Sequence, residues 1–352
     1  MKLLFIARTY PPLVGGMERF ADNFYSNYKK LGDIDLLANS SGTKTLIPFF
    51  FKVLFFLIKN STNYDVIHFS DAILSPAIPV IRVFSKARIS FTVHGLDVVY
   101  SRLGYQHLIP YFLKKADRIF AVSTYTMKQC KRIGISSNNL VVIPNCIDID
   151  DSPRCSQAEI EKFASKHNIN KGAKIILLTV GRLIKRKGHA WFIANVFHKL
   201  PDNYIYVIAG FGPEQEQIEK IIWKFNLTDR VYLLGHISEE EKKCLYQISD
   251  LFIMPNISVK DDQEGFGIVA LEAGSYGLPI IATDIEGIKD AILDGKTGRL
   301  IKEGDNQAFL EAIMSHNVDA SAIWDLVVSN FNCTTIIKRY ISEFEKMVGC
   351  VA

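Results

Sequence analysis

The sequence predicts an α/β protein made of two parallel-sheet domains. Short apolar runs alternate with amphipathic stretches, the pattern of parallel strands covered by helices. A polar break between about Ile149 and Lys171, with Asp148-Ile149-Asp150-Asp151-Ser152-Pro153 at its head, reads as a linker. The 352 residues, 48% of them apolar, suffice for two cores.

The apolar runs predict the strands in order. In the first half they are Leu3 to Ala7, Val66 to Phe69, Ile89 to Val93, Arg118 to Val122 and Val141 to Ile143. In the second half they are Ile175 to Val180, Tyr204 to Ala209, Val231 to Leu234, Leu251 to Met254 and Ile280 to Thr283. The run from Met1 to Ala7 starts as a secretion signal does, but Arg8 ends it too early, so it reads as the first buried strand. No run reaches the roughly 20 apolar residues that span a bilayer. Six cysteines without a C-x-x-C pair predict neither a zinc site nor a disulfide scaffold, and fit a reducing cytosol. No repeat or low-complexity tract is visible.

The charge is uneven. Residues 1 to 150 hold 18 Lys+Arg and 10 Asp+Glu, a balance of 18 − 10 = +8, and the remainder balances at 23 − 27 = −4. The basic half is expected to face something anionic. No nucleic-acid motif is evident, and no stretch interleaves aromatics with cations, so a membrane surface fits better than nucleic acid. The segment Thr43 to Lys59 holds Phe49-Phe50-Phe51 and Phe55-Phe56 with Lys44, Lys52 and Lys59. It reads either as an interfacial helix, lysines at headgroups and phenylalanines below, or as a buried helix of the first domain.

The stretch Glu264-Gly265-Phe266-Gly267-Ile268-Val269-Ala270-Leu271-Glu272 carries the most chemistry. A helix starting near Phe266 or Gly267 leaves its first N–H groups unpaired, and these favour a phosphate. Two carboxylates eight positions apart can take hydroxyls at opposite ends of one ligand, which describes a sugar nucleotide. The plain alternative is a glycine loop capping an ordinary helix. Gly181-Arg182-Leu183-Ile184-Lys185-Arg186-Lys187-Gly188 follows the strand run Ile175 to Val180. A cationic turn at a strand's carboxyl end is where open α/β sheets bind ligands, and a guanidinium can grip phosphate oxygens in pairs. The alternative here is a solvated basic loop.

Read together with Gly15-Gly16-Met17-Glu18, His94-Gly95-Leu96-Asp97, Val122-Ser123, Pro144-Asn145-Cys146-Ile147-Asp148, Gly210-Phe211-Gly212-Pro213 and Gly277-Leu278-Pro279, these motifs resemble the retaining glycosyltransferases of family 4. Their order and spacing cover nearly the whole chain. The resemblance implies the GT-B fold: two Rossmann-like parallel-sheet domains facing each other across a cleft, with the C-terminal helix crossing back. The expected bounds are 1–165 with 334–352 for the acceptor-side domain, and 166–333 for the donor-binding domain.

The resemblance also implies roles. Arg182 and Lys187 match the pair that neutralises the leaving diphosphate. Glu264 matches the carboxylate that holds donor-sugar hydroxyls, and Glu272 the one that binds ribose. Backbone at Phe266, Gly267, Ile268 and Val269, with Gly212, would line the donor. Gly15 and Gly16 match the glycine loop that approaches the diphosphate, and His94 a residue beside the reacting centre. Asp97 is placed with the donor site or as a brace for its loop. The donor is expected to be a UDP- or GDP-sugar, with no cofactor and no metal. The acceptor is expected to be a lipid-linked or cell-surface glycan of O-antigen, capsule or lipopolysaccharide type, handled at the inner face of the cytoplasmic membrane by a peripheral protein. A soluble small-molecule acceptor, and a non-catalytic sugar-nucleotide-binding membrane module, are the alternatives. Cys146 and Glu286-Gly287 stand where the family commonly has glycine, which bears on loop shape.

Overall fold

In a computed structural model of the protein, residues 1–100, 104–149, 154–315 and 319–349 are described. Asp150 to Pro153 of the predicted linker, and Cys350, lie outside these residues. Twelve strands occur among the described residues. In the first half they are β1 (Lys2–Ala7), β2 (Asp33–Ala38), β3 (Val66–Phe69), β4 (Arg88–Val93), β5 (Arg118–Ala121) and β6 (Leu140–Val142). In the second they are β7 (Ile175–Val180), β8 (Tyr204–Ala209), β9 (Val231–Gly235), β10 (Leu251–Met254), β11 (Ile280–Thr283) and β12 (Gly298–Ile301).

All pairings within the two sheets are parallel. The first sheet runs β2-β1-β3-β4-β5-β6 and the second β12-β11-β10-β7-β8-β9. Their inner strands are apolar on both faces, as helices on either side require. The sequence reading missed only β2 and β12. Both lie at a sheet edge, where a strand needs less apolar covering, and both carry charge or glycine.

The chain forms two compact units. The first comprises Met1–Asp148, Gln263–Ile268 and Phe331–Ala352, and the second Ile149–Asp262 and Val269–Asn330. The first boundary falls earlier than residue 165 because the helix Gln157–Lys166 packs on the helix Glu239–Ile248 of the second unit. Cys155 is also bonded to Cys244 there. In the first unit, one sheet face is covered by the helices Leu46–Asn60, Ile78–Phe84 and Tyr105–Leu113. The other is covered by Gly16–Lys29 and by the C-terminal helix Cys333–Val348, through Ile336, Ile337, Tyr340 and Phe344. In the second unit, Phe192, Phe197, Ile218, Phe309 and Ile313 close over Leu177, Tyr206 and Ile253.

The cysteine reading is corrected. Cys146 is bonded to Cys333 and Cys155 to Cys244, with Cα atoms 4.8 and 5.7 Å apart, inside the range for disulfides. The partners lie 187 and 89 residues apart, so no local spacing announces them. The cysteines therefore give no argument for a reducing compartment. Cys130 is buried and unbonded, and burial raises its thiol pKa.

Candidate functional site

In each sheet the strand order reverses between two neighbouring strands: β1 and β3 in the first, β7 and β10 in the second. Ligands of open α/β sheets bind outside the carboxyl ends at such a point, because flanking loops there diverge. The Gly15-Gly16 loop follows β1, and the loop Gly181 to Gly188 follows β7. The sequence-predicted glycine and cation motifs thus each stand at a switch point.

In the second unit, three glycines set the cationic loop. A Cβ on Gly188 would overlap the Pro255 carbonyl oxygen after β10, and its φ of +69° favours glycine. A Cβ on Gly210 would overlap Gly181 O, and one on Gly212 would overlap Leu183 O. Close backbone packing is confirmed by Leu183 N–H donating to Phe211 O at 3.0 Å and Glu214 N–H to Leu183 O at 2.9 Å. Gly212 therefore lies against the backbone of the cationic loop. Arg186 N–H side-chain donors reach Asp262 at 3.2 Å, and its carbonyl accepts from Ile257 N–H at 2.9 Å. Arg182 is exposed and Lys187 half-buried. The stem of Lys187 passes over Gly181, within 3.8 Å of where a Cβ would stand. Burial first, and the nearby Lys187 charge second, hold the His189 pKa down to about 3.

Glu272 stands on the helix Ile268–Gly274. That helix starts later than the sequence predicts, because Gly267 takes φ +93°, outside helical space. Glu272 is 6% exposed. The Tyr246 hydroxyl donates to its Oε2 at 2.9 Å, and Lys242 Nζ lies 3.4 Å from the same oxygen. Tyr246 stacks on Tyr276 at 5.3 Å. A buried carboxylate so held is oriented, and its oxygens can accept hydrogen bonds from a diol. Sequence reasoning missed Lys242 and Tyr246. They sit 30 and 26 residues before Glu272, on another helix, and no motif marks them.

The first unit gathers the other predicted residues. Gly265 packs on the His94–Gly95 turn: its Cβ would overlap the His94 carbonyl oxygen, and Gly95 has φ +101°. The chain at Glu264 to Ile268 and the loop after β4 are thus held backbone to backbone. Glu264 is 9% exposed and Phe266 buried, its ring 6.2 Å from that of Phe331. The His94 N–H donates to Asp97 Oδ1 at 2.8 Å. His94 Nε2 lies 2.9 Å from the Ser70 carbonyl, which only accepts, so Nε2 carries a hydrogen. Nδ1 is then the ring's other hydrogen-bonding atom. Phe20 meets the ring edge-on at 4.8 Å.

Asp97 braces two loops, accepting from His94 N–H and from Ala72 N–H at 3.2 Å, while Tyr105 donates to its carbonyl at 2.7 Å. Burial raises its pKa. Arg8, also missed, follows β1 and donates to the fully buried Asp71 at 2.7 Å. Asp71 is the chief reason that the guanidinium pKa is raised. The abrupt end of the first apolar run at Arg8 was the available signal. Gly15 lies under the Glu18 carboxylate, which accepts from Thr9 Oγ1. Gly16 opens the helix Gly16–Lys29, and a Cβ there would find nothing nearer than Ile268 Cδ1 at 4.0 Å.

Comparison with known proteins adds the family. Residues 32–151 match the model described as Glycosyltransferase Family 4, and residues 159–317 the model for Glycosyl transferases group 1. An uncharacterized 41.2 kDa protein in the cps region of Klebsiella pneumoniae is 24% identical over 310 residues, 83% of this chain and 82% of that protein. A GDP-mannose-dependent alpha-(1-6)-phosphatidylinositol monomannoside mannosyltransferase of Mycolicibacterium smegmatis is 27% identical over 241 residues, 67% of this chain and 62% of that one. The crystal structure of Anabaena HepE in complex with UDP superimposes with a TM-score of 0.79 at 18% identity, covering 98% of this chain and all of the other.

Proposed function

The chain belongs to the family-4 glycosyltransferases, with the GT-B fold, and on that premise we propose that it is a retaining, metal-independent hexosyltransferase using a UDP- or GDP-sugar. The single observation that carries this reading is the cationic turn Gly181 to Gly188, seated by glycine contacts at the second sheet's switch point. Breaking an anomeric bond builds positive charge on the sugar and negative charge on the diphosphate. Arg182 and Lys187 stabilise the diphosphate as it leaves. Glu272, oriented by Tyr246 and Lys242, takes the ribose hydroxyls. Glu264 holds hydroxyls of the hexose, and His94 accepts from one through Nδ1. The backbone around Gly16 and of Phe266 to Val269 adds N–H contacts to the donor.

With cations supplying the charge compensation, the reaction needs no bound metal. The acceptor hydroxyl attacks from the face the diphosphate leaves, and its proton passes to the departing phosphate oxygen, so configuration is retained. The acceptor is a lipid-linked or cell-surface glycan of the O-antigen, capsule or lipopolysaccharide kind, met at the anionic inner face of the cytoplasmic membrane. Supporting this setting are the +8 balance of residues 1 to 150 and a relative whose name specifies a phosphatidylinositol mannoside. No helix among the described residues is long and apolar enough to cross a membrane.

The test is a donor screen. Pure protein is incubated with UDP-, GDP- and ADP-sugars in EDTA, nucleotide release is followed, and the product anomer is read by NMR. Release from a uridine or guanosine donor with the donor's anomeric configuration supports the proposal. Inversion, or activity only on adding a divalent cation, overturns the corresponding part.

A further inference from the structure

The helix Leu46–Asn60 is apolar on both of its faces. Phe49, Val53 and Leu57 are buried in the first unit's core, with Leu46, Phe50, Leu54 and Phe56 packed against it. The opposite side shows Ile47, Phe51, Phe55 and Ile58, at 72, 64, 62 and 47% exposed. At 100° per residue, these four fall within about 80° of arc, a single stripe. Lys52 and Lys59 follow on the next roughly 60° of the same side. Lys59 Nζ lies 4.2 Å over the Phe55 ring, so cation and aromatic share one edge. The helix packs on Ile78–Phe84, whose end exposes Val83 and Phe84, with Lys86 exposed just beyond. None of Lys44, Lys52, Lys59 and Lys86 is ion-paired among the described residues.

Carboxylates are nearly absent here. Residues 36 to 116 hold nine Lys+Arg and three Asp+Glu, 9 − 3 = +6, of which Arg82 and Arg88 pair with Asp117 just beyond. Of the three acids, Asp71 is fully buried against Arg8, and Asp97 is engaged by two backbone N–H groups. We infer that this outer stripe is where the protein seats on an anionic lipid surface, with Phe51, Phe55, Ile47 and Ile58 at the acyl boundary and Lys44, Lys52 and Lys59 among the headgroup phosphates. A second copy of the chain is the poorer occupant, since a two-fold contact through this stripe would set lysines against lysines. The inference rests on the reading that the acceptor is met at a membrane, and it replaces the expectation that Phe50 and Phe56 insert: those two rings serve the core.

The test is co-sedimentation of the full chain with phosphatidylcholine vesicles, with and without 30% phosphatidylglycerol. The wild type should bind the anionic vesicles, more weakly as salt rises. Lys52→Ala/Lys59→Ala should cut the partition coefficient roughly 30-fold at low salt, about fivefold per cation. Phe51→Ser/Phe55→Ser/Ile58→Ser should remove the salt-resistant part, at unchanged melting temperature because all three side chains are exposed. Nucleotide release with a soluble acceptor should stay at wild-type level in both variants. A wild type that ignores anionic vesicles, variants that bind as it does, or concentration-dependent dimers abolished by the triple serine change would each overturn the inference. Vesicle binding without sugar-nucleotide turnover would instead sink the enzymatic reading and leave this face standing.

Discussion

Replacing Gly16 by alanine separates a ligand contact from a fold contact. Gly16 is the first residue of the helix Gly16–Lys29, and its φ lies outside the left-handed region. The added methyl would stand 4.0 Å from Ile268 Cδ1, an ordinary van der Waals distance, with nothing closer. Alanine exceeds glycine in a helix by up to about 1 kcal/mol. For a unit of this size that is a rise of roughly 2–4 °C in melting temperature, or no change if the helix end frays. A donor diphosphate reaching the unpaired N–H groups at Gly16 would meet that methyl. The loss should resemble that of one positioned transition-state donor, about 10²- to 10³-fold in kcat/KM. The assay is nucleotide release at sub-saturating donor, with calorimetry on the same sample. Unchanged kcat/KM at unchanged melting temperature would show that the donor never approaches Gly16. A drop in melting temperature would refute the steric reasoning itself.

Gly265→Ala should behave oppositely: its Cβ overlaps the His94 carbonyl oxygen, so melting temperature falls, with about 1–3 kcal/mol lost to overpacking, and a variant as stable as wild type would deny this contact. Arg182→Ala and Lys187→Ala should each lower turnover by about two to three orders of magnitude at nearly native stability, and full turnover in both would remove the cationic loop from the mechanism. Tyr246→Phe should raise donor KM about tenfold with little change in kcat, since a hydrogen bond to a carboxylate contributes roughly 1.5–3 kcal/mol. An unchanged KM would free Glu272 from that dependence. His68 and His189 are kept neutral by burial, their pKa values depressed to about 3. The unfolded chain takes up these protons near pH 6.5 and the folded one refuses them, so stability is complete above that value and is lost as pH falls toward 3. The slope is up to about 1.4 kcal/mol per pH unit for each histidine. Urea midpoints that stay flat between pH 6.5 and 5 would contradict this.

Much of the molecule was legible before any coordinates. Ten strands announce themselves because parallel strands between two helix layers must be apolar throughout, and that is a local property of each run. The Gly181 to Gly188 motif could be placed on a loop after a strand for the same reason. Other features depend on distance in space alone. The edge strands β2 and β12 form because a neighbour offers unpaired backbone groups, which Asp33, Asp35 and Arg299 do nothing to advertise. Gly265 needs to be glycine only because His94, 171 residues earlier, presents its carbonyl there. Tyr246 and Lys242 orient Glu272 from a different helix. Cys146 and Cys333 meet where the start of the C-terminal helix is packed onto the first sheet's covering layer. Phe50 and Phe51 are adjacent and chemically identical, yet the one packs on the core and the other faces out, because 100° of helical turn separates them. Sequence determines which residues are apolar or charged and with what period. Which of them meet is decided by packing between elements distant in the chain, whose contacts no window of sequence contains.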